Sequence, residues 1–300
     1  MRSSWFLATG FPYIVLILLG AAIALPLNSQ DKAQKSTTEG SPAPDPTALM
    51  KIVAENQKQI EATQKNYIFH RKDEERVADQ KGHVKSTRVK EYEVFFVGPW
   101  PVERLVSKDG KPLTAAEQKK QDEEVRKQEK KARERIAKQA AGEEPGKDTV
   151  TLGKFLAADH FHNLRHDTYQ GREVYAMDFA PRPDFQPHGM VEKVLKSLGG
   201  TLWVDAQAKD VVRLEARFLK GLKVAGGLIG SVQKGGSVIF EQQFLNEEVW
   251  MPTYVEIQLD ARVFFLQRTL NVVSYYSDYH KFRVDSKIMS VGQEPPAPKP

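Results

Sequence analysis

The sequence predicts an α+β protein whose main element is an antiparallel β-sheet. Many short segments alternate apolar and polar residues, and turn residues separate these segments in hairpin order. The alternation is clearest over 255–263, where every odd position is apolar and every even position is polar. Three further segments, 47–65, 114–141 and 188–198, have helical periodicity, which completes the α+β class.

Composition favours a single β-rich domain over residues 48–291. The chain has 300 residues, of which 40% are hydrophobic, enough to build one sizeable core. Residues 25–47 are polar and rich in proline, which predicts a flexible linker, and 292–300 predict a disordered Pro-rich tail. Because the chain has no cysteine, disulfides cannot stabilise it, and its stability must come from packing.

Residues 1–24 predict a secretory signal peptide. Arg2 is followed by no charged residue until Asp31, and an apolar run precedes the small residues Ala22 and Ala24. The alternative is an uncleaved anchor, since the segment from Trp5 to Leu27 is long enough to cross a bilayer. The sequence therefore predicts export to the periplasm, with attachment to the inner membrane if the signal is not cleaved.

The first predicted helix opens the folded domain. Thr47 is a candidate N-cap, and Leu49, Ile52, Val53 and Ile60 share one face, so we expect this amphipathic helix to pack on the sheet. Strands are then predicted at 67–74, 84–97 and 102–106. The pattern continues with strands at 172–181, 211–218 and 237–244, and the helix at 188–198 is expected to stop at Gly199 and Gly200.

The segment 114–141 predicts a long charged helical insertion. Thr114 and Glu117 form a capping-box pair, and Gly142 supplies a stop signal. A helix of this length spans about 40 Å. Its narrow apolar seam consists of Val125, Ala132 and Ile136. We therefore expect a mostly solvated helix that projects from the sheet.

The same insertion carries most of the net charge of +5, since 111–139 contains ten basic and six acidic residues. Nucleic acid is not the predicted partner, because the interspersed acids weaken the field and the chain is expected to be exported. Two alternatives stay open for this helix, namely contact with an anionic membrane surface and contact with a protein partner.

No motif predicts enzymatic chemistry. The sequence lacks the nucleophile elbow, the phosphate-binding loop and the zinc-protease helix motif. His160, His162 and His166 would share one face of an extended segment, and Asp159 or Asp167 could complete a zinc or copper site. Their spacing matches no defined metal motif, so we expect exposed histidines, no metal, no cofactor and no catalysis.

Three segments carry a resemblance to a known group of exported proteins. They are 200–218, which includes Gly-x-Leu-Trp-Val-Asp, 246–265 with its Trp250-x-Pro252 step, and 275–282 with its Tyr-Ser-Asp-Tyr motif. Together they resemble the outer-membrane lipoprotein-sorting, or LolA-like, proteins, including the RseB and LppX branches. The resemblance implies a strongly curved, incompletely closed antiparallel sheet, or half-barrel, whose concave side is covered by helices. It also implies binding of acyl chains or lipoproteins without chemistry.

A curved sheet with an apolar inner wall must be filled. A dry void of about 500 Å³ would cost on the order of 12 kcal/mol, comparable to the stability of a domain. The helices at 47–65 and 188–198 are expected to fill the concave side, and a lipid chain could replace them. This exchange predicts a carrier for a hydrophobic ligand. The alternatives are an ordinary filled core and an adaptor acting through 114–141. The expected ligand-binding residues are Tyr175, Phe179, Phe218, Phe240, Val263 and Phe265.

Overall fold

The computed structural model describes residues 44–142, 152–224, 230–263 and 266–281. The predicted signal peptide at 1–24, the linker up to residue 43 and the tail at 292–300 lie outside these ranges. Within them, no helix combines the length and the apolar character that a bilayer-crossing segment requires.

The described part of the chain contains four helices and thirteen strands. The helices are α1 (Pro46–Gln64), α2 (Ala115–Ala140), α3 (Leu152–Ala158) and α4 (Met190–Leu195). The strands are β1 (Tyr67–Ala78), β2 (Val84–Val97), β3 (Trp100–Lys108), β4 (Lys111–Pro112), β5 (Asp159–Tyr169), β6 (Arg172–Pro181), β7 (Leu198–Asp205), β8 (Val211–Phe218), β9 (Leu222–Val224), β10 (Gly230–Val232), β11 (Ser237–Leu245), β12 (Val249–Val263) and β13 (Leu266–Lys281).

All the strands belong to one antiparallel sheet with the order β4-β3-β2-β1-β13-β12-β11-β8-β7-β6-β5. β10 pairs with β12 and with β9. The two ends of the described sheet, β4 and β5, do not pair with each other, so the sheet is open. It is strongly curved, like a half-barrel, which confirms the predicted α+β class and the incompletely closed sheet.

The inner face of the sheet is the face on which α1, α3 and α4 pack. Met177, Phe179, Val255 and Ile257 point to this face and alternate along their strands with residues on the outer face. They belong to one apolar cluster that extends from β5 to β12 and includes Leu49 of α1. The predicted alternation over 255–259 is confirmed, since Val255, Ile257 and Leu259 are all buried.

α1 begins earlier than the sequence analysis predicts. Its N-cap is Asp45, whose Oδ1 accepts a 2.8 Å hydrogen bond from the backbone N–H of Ala48, and Pro46 occupies the first turn. The prediction of Thr47 as the cap is therefore wrong. Asp is at least as good an N-cap as Thr, and proline at the first helical position lacks an N–H that would have no partner there.

α4 ends earlier than predicted, because Gly199 and Gly200 belong to strand β7 rather than to a helix stop. A side chain at Gly200 would collide with the backbone of Glu215 on the neighbouring strand. Glycine therefore permits close approach of β7 and β8, which is the other common reason for glycine in a strand.

The predicted capping box of α2 is confirmed. The Thr114 hydroxyl accepts a hydrogen bond from the Glu117 N–H, and the Glu117 carboxylate accepts one from the Thr114 N–H. The prediction that this helix projects from the sheet is wrong, because α2 lies along β3. On α2, the guanidinium of Arg135 lies 4.4 Å from the centre of the Trp100 ring, and Ile136 contacts the turn at Gly98.

α2 also satisfies the backbone at the β3 edge. The Gln128 side chain accepts a hydrogen bond from the Glu103 N–H and donates one to the Glu103 carbonyl, both at 3.0 Å. Gln121 donates to the same carbonyl at 3.3 Å. A side-chain amide thus replaces a neighbouring strand at this point, which protects an edge that could otherwise pair with another chain. Periodicity does not reveal such polar docking, since glutamine counts as a solvent-facing residue.

Candidate binding surface

Three of the six residues predicted to bind a ligand lie together on the inner face. Phe179 on β6, Phe218 on β8 and Phe240 on β11 belong to the same apolar cluster and are almost completely buried. β8 pairs directly with β11, and β7 lies between β6 and β8. This strand order brings Phe179 and Phe240, which are 61 positions apart in sequence, into one surface. The structure therefore assembles an apolar wall from these residues.

Tyr175 lies at the margin of this wall. It is partly buried against the cluster, and its ring contacts His166 at 5.0 Å and the Lys209 ammonium at 5.3 Å. Burial lowers the pKa of Lys209. The margin at Tyr175 thus combines an apolar surface with a cation, a combination suited to the polar end of an amphiphile.

The structure does not test the last two predicted residues. Val263 ends β12 and pairs with Gly230, but its side chain lies outside the described set. Phe265 lies outside the described residues. Their assignment to the inner wall stays a prediction.

α1 covers the wall through one face. Leu49, Met50 and Val53 are at most 1% exposed. The prediction that Ile52 belongs to this buried face is wrong, because Ile52 is 42% exposed and the face is centred on the side of Met50 instead. The C-terminal end of α1 is held by Gln64, whose side chain donates a 3.0 Å hydrogen bond to the Trp250 carbonyl. The N-terminal half of α1 therefore packs on the sheet through apolar contacts.

α3 is a third covering helix that the sequence analysis does not predict. Phe155 makes edge-to-face contacts with Phe161 at 5.4 Å and with Phe179 at 5.1 Å. The signal was present, because Leu152, Phe155 and Leu156 have helical spacing. A seven-residue helix is too short for periodicity to distinguish it from a loop or a strand.

The inner face on β1 and β3 holds a buried polar group beside a second apolar cluster that includes Tyr67 and Phe69. The guanidinium of Arg71 is buried and contacts Glu103 at 2.5 Å and Asp73 at 3.0 Å. Arg71 also lies 4.6 Å over the ring of Tyr92, and Asp73 accepts a 2.7 Å hydrogen bond from Ser274. This group of residues, here called the Arg71 cluster, was not predicted, since charged residues are frequent in the sequence and only the sheet register brings these together.

The two carboxyl groups of the Arg71 cluster stabilise the charge of its guanidinium despite the burial of Arg71. Burial opposes the charge of Arg71, but Glu103 and Asp73 outweigh it, so the pKa of Arg71 is raised well above its ordinary value. Burial raises the pKa of Asp73, while Arg71 opposes that shift. The three side chains therefore compensate each other, and removal of one would leave a buried charge without its partner.

A buried carboxyl group lies where α3 passes into β5. Asp159 is 2% exposed, and within the described residues neither of its carboxylate oxygens has a hydrogen-bond partner. Burial alone raises the pKa of Asp159 to about 7. Its neighbours in sequence, Phe155 and Ala158, pack against α4 residues Val191 and Leu195. The charged form of Asp159 therefore opposes the packed state of the helices that cover the wall.

The three histidines do not form one group. His160 and His162 stack with their ring centroids 5.1 Å apart, but a register shift between His162 and Arg165 turns His166 to the opposite face, beside Tyr175. Among the residues the structure describes, no three His, Asp or Glu side chains are placed to hold a metal ion. This geometry gives no support to the metal alternative.

Comparisons with known proteins find distant structure neighbours. No family model and no curated protein matches the sequence. A DUF1329 family protein from Desulfovibrio piger has a TM-score of 0.33 at 10% identity, covering 81% of this chain and 96% of its own. An outer-membrane lipoprotein-sorting protein domain from Vibrio parahaemolyticus has a TM-score of 0.32 at 10% identity, covering 80% and 95%.

A third solved structure, MucB in complex with MucA(peri), has a TM-score of 0.21 at 10% identity, covering 80% of this chain and all of its own. These neighbours include the lipoprotein-sorting group that the sequence motifs resemble. Likeness at these TM-scores carries no argument about function. The function is therefore argued from the inner face itself.

Proposed function

We propose that this chain is an exported, non-enzymatic binding protein for a hydrophobic ligand such as an acyl chain, a lipoprotein or a similar amphiphile. The ligand would lie on the inner face of the sheet, in the place that α1 occupies here. The observation that carries the proposal is that a continuous apolar wall from β5 to β12 is covered by short helices rather than by a second sheet.

The nature of the α1 contact supports exchange. Leu49, Met50 and Val53 meet the wall through apolar surface, which is not directional, so another apolar group can replace them without leaving hydrogen bonds unmade. An acyl chain gains about 0.8 kcal/mol for each methylene group that it buries. Several methylene groups would therefore offset the undocking of α1, and binding would be a population shift between two packings.

The margin at Tyr175 would receive the polar end of the ligand. Lys209 supplies a positive charge beside the ring of Tyr175, and the ring of His166 also contacts Tyr175. A carboxylate or phosphate at this position would gain a charge-assisted contact. The predicted residues Phe179, Phe218 and Phe240 would contact the chain.

Weakening α1 tests this proposal, using a fluorescent long-chain fatty acid as the probe. Met50→Ala removes a buried side chain of α1, and such a change costs about 2–5 kcal/mol in a core. If the probe competes with α1, its apparent affinity rises about tenfold for every 1.4 kcal/mol of lost α1 docking. Titration by fluorescence polarisation measures the affinity, and native mass spectrometry of the exported protein measures carried lipid.

Ile52→Ala is the matched control, because Ile52 lies on the exposed side of the same helix. The probe affinity of this variant should equal that of the unmodified chain. If neither the unmodified chain nor Met50→Ala takes up the probe, and no lipid is carried, the wall is an ordinary filled core and the proposal is wrong.

The adaptor alternative assigns function to the exposed surface of α2 instead. Most of this helix is exposed, although it is docked on β3 rather than free. A protein partner or a membrane surface at α2 predicts that charge changes on its exposed side abolish partner binding but leave fatty-acid uptake unchanged.

A further inference from the structure

We propose that loss of the proton from Asp159 releases α3 and α4 from the inner face and uncovers that end of the apolar wall. The movement itself does not depend on a ligand. Its use, which is to control ligand entry at this end of the wall, rests on the proposed function.

Asp159 lies at the junction between a helix and a strand. α3 ends at Ala158, and β5 begins at Asp159. The strand side of the junction is fixed, because the Ala158 carbonyl accepts a 2.8 Å hydrogen bond from the Arg182 N–H and Asp159 pairs with Pro181 of β6. The helix side is held by the apolar contacts of Phe155. A rearrangement at this junction therefore moves α3 more easily than β5.

The side chain of Asp159 lies under the helical cover. Asp159 and Phe161 are buried and His160 between them is exposed, so Asp159 shares the inner face of β5 with Phe161. Ala158, the residue before it, belongs to the apolar cluster that joins α3 to α4. The carboxyl group is therefore next to the contact between the two helices.

No described charged group compensates Asp159. In the part of the chain that the structure describes, neither of its carboxylate oxygens accepts a hydrogen bond, and burial is the sole cause that raises the pKa of this carboxyl to about 7. Arg182 pairs with Asp184 instead, and the Lys196 ammonium donates to the Phe185 carbonyl. The charged and titratable side chains on the elements around it are Lys51 and Glu55 in the first half of α1, Lys154 of α3, His160 and His162 of β5, Asp178 of β6, Arg182, Asp184 and His188 between β6 and α4, and Glu192, Lys193 and Lys196 of α4.

Loss of the proton changes the balance between packed and released helices. A carboxylate in apolar surroundings without a partner is strongly disfavoured, so its charge must reach water. β5 is held by a hydrogen-bonded ladder, whereas α3 and α4 have seven and six residues and pack through apolar side chains. Short elements with few buried contacts open more readily than paired strands. The helices rather than the strand therefore move.

The direction of the pH dependence follows from the two environments of Asp159. With the helices released, the carboxyl is in water, where its pKa is about 4. The packed form binds the proton more tightly, so acid pH keeps the cover in place. The ratio of released to packed helices should rise up to about tenfold for each unit between about pH 5 and pH 7, and it should level off at higher pH.

Pairs of spin labels measure the movement without a ligand. The chain has no cysteine, so labels can be placed at exposed positions, Gly153→Cys on α3 or Lys193→Cys on α4, each together with Arg217→Cys on β8. Double electron–electron resonance should show a population at a longer distance that grows from pH 5 to pH 7.5. The control pair, Glu173→Cys with Arg217→Cys, lies on the sheet and should keep the same distance at both pH values.

Asp159→Asn removes the ionisable group and should keep the helices packed at both pH values. Asp210→Asn is the matched control, because burial also raises the pKa of Asp210 to about 7, yet Asp210 follows the end of β7 that is remote from α4. This variant should keep the movement, which separates helix release from a general loss of stability. If the amide variant folds poorly, Asp159→Leu repeats the test without a charge. A distance that does not depend on pH in the unmodified chain, or a movement that persists in Asp159→Asn, would overturn the inference.

Uptake of the fluorescent fatty acid tests the use of the movement. The affinity of the unmodified chain is divided by that of Asp159→Asn at the same pH, which cancels titration of the probe itself. This ratio should rise from pH 5 to pH 7.5. A constant ratio despite helix movement would contradict control of ligand entry by Asp159. Helix movement without probe uptake at either pH would support the release of the helices and contradict the proposed function instead.

Discussion

The two halves of the sheet are covered by helices in different ways. From β5 to β12 the inner face is apolar and is covered by α1, α3 and α4 through side chains such as Met50 and Phe155. On β1 and β3 the inner face holds the buried Arg71 cluster beside a second apolar cluster, and α2 docks on β3 through amide hydrogen bonds from Gln128 as well as through the buried side chains of Val125 and Ala132. Apolar contact is non-directional, whereas hydrogen bonds and ion pairs require specific partners. One half is therefore suited to exchange of its cover, and the other half is suited to a permanent structure.

The largest expected effect is at the centre of the apolar half. Phe218→Ala should lower the free energy of unfolding by about 3–5 kcal/mol, because it removes a buried ring and leaves a cavity. Leu219→Ala is the control, since Leu219 is 47% exposed, and it should change stability by no more than about 0.5 kcal/mol. Urea denaturation measures both. Equal losses at the two positions would contradict the assignment of Phe218 to the packed wall.

In the polar half, Arg71→Leu should lower the free energy of unfolding by about 3 kcal/mol near pH 7, because it leaves two partly buried carboxylates uncompensated. The value lies at the low end of the usual range, since the side chains of Asp73 and Glu103 keep 18% and 14% exposure. The loss should shrink at acid pH, where the carboxyls take up protons. Lys72→Leu, in an exposed pair with Glu74, is the control and should change little. A loss that does not depend on pH would contradict this account.

The third expected effect is a pH dependence at Asp159. Burial raises the pKa of this carboxyl to about 7, so the folded state binds its proton more tightly than the unfolded state. Its contribution to stability is therefore fully present at acid pH and is lost as the pH rises toward 7. Between about pH 5 and pH 8 the loss from this group amounts to roughly 2 kcal/mol.

Asp159→Asn removes this titration, so the variant should lose less stability than the unmodified chain over the same pH interval. Urea denaturation at several pH values measures the slope, and Asp184→Asn, at an exposed position, should keep the original slope. Asp210, whose pKa burial also raises to about 7, contributes in the same direction and remains in both proteins. Identical slopes for Asp159→Asn and the unmodified chain would contradict the prediction.

The smallest expected effect is at the edge of β3. Gln128→Ala should lower the free energy of unfolding by about 1 kcal/mol, because two hydrogen bonds to the backbone of Glu103 are replaced by water. Hydrogen exchange at the Glu103 amide should accelerate. Arg126→Ala removes an exposed side chain from the same helix and should leave that amide protected. Unchanged exchange in Gln128→Ala would show that α2 does not protect the edge through this amide.

The strands were the most predictable part of the fold. Their alternation reflects burial on one face, and segments such as 84–97, 172–181 and 211–218 match the observed strands β2, β6 and β8. Strand alternation was less reliable at irregular positions. Val212 alternates with Leu214 and Phe218 in the sequence, yet it packs against Trp250 and Val174 because the β7–β8 register shifts beside it.

The candidate wall was predictable in part for the same reason. Phe179, Phe218 and Phe240 are apolar positions in segments where apolar and polar residues alternate, and the sheet brings these three side chains together. The Arg71 cluster and Asp159 were not predictable, because charged residues are common and nothing local marks the ones that become buried. Their burial depends on strands that lie far apart in sequence, such as β1 and β3.

By itself, the sequence determined the class of the fold, the positions of most strands and the cap and extent of α2, because each follows from local periodicity or local hydrogen bonding. Only the tertiary structure decided that α2 lies on the β3 edge, that α3 joins α1 and α4 over the wall, and that Arg71 meets Glu103. These features depend on strand order and register, which bring distant residues into contact and which no local pattern specifies.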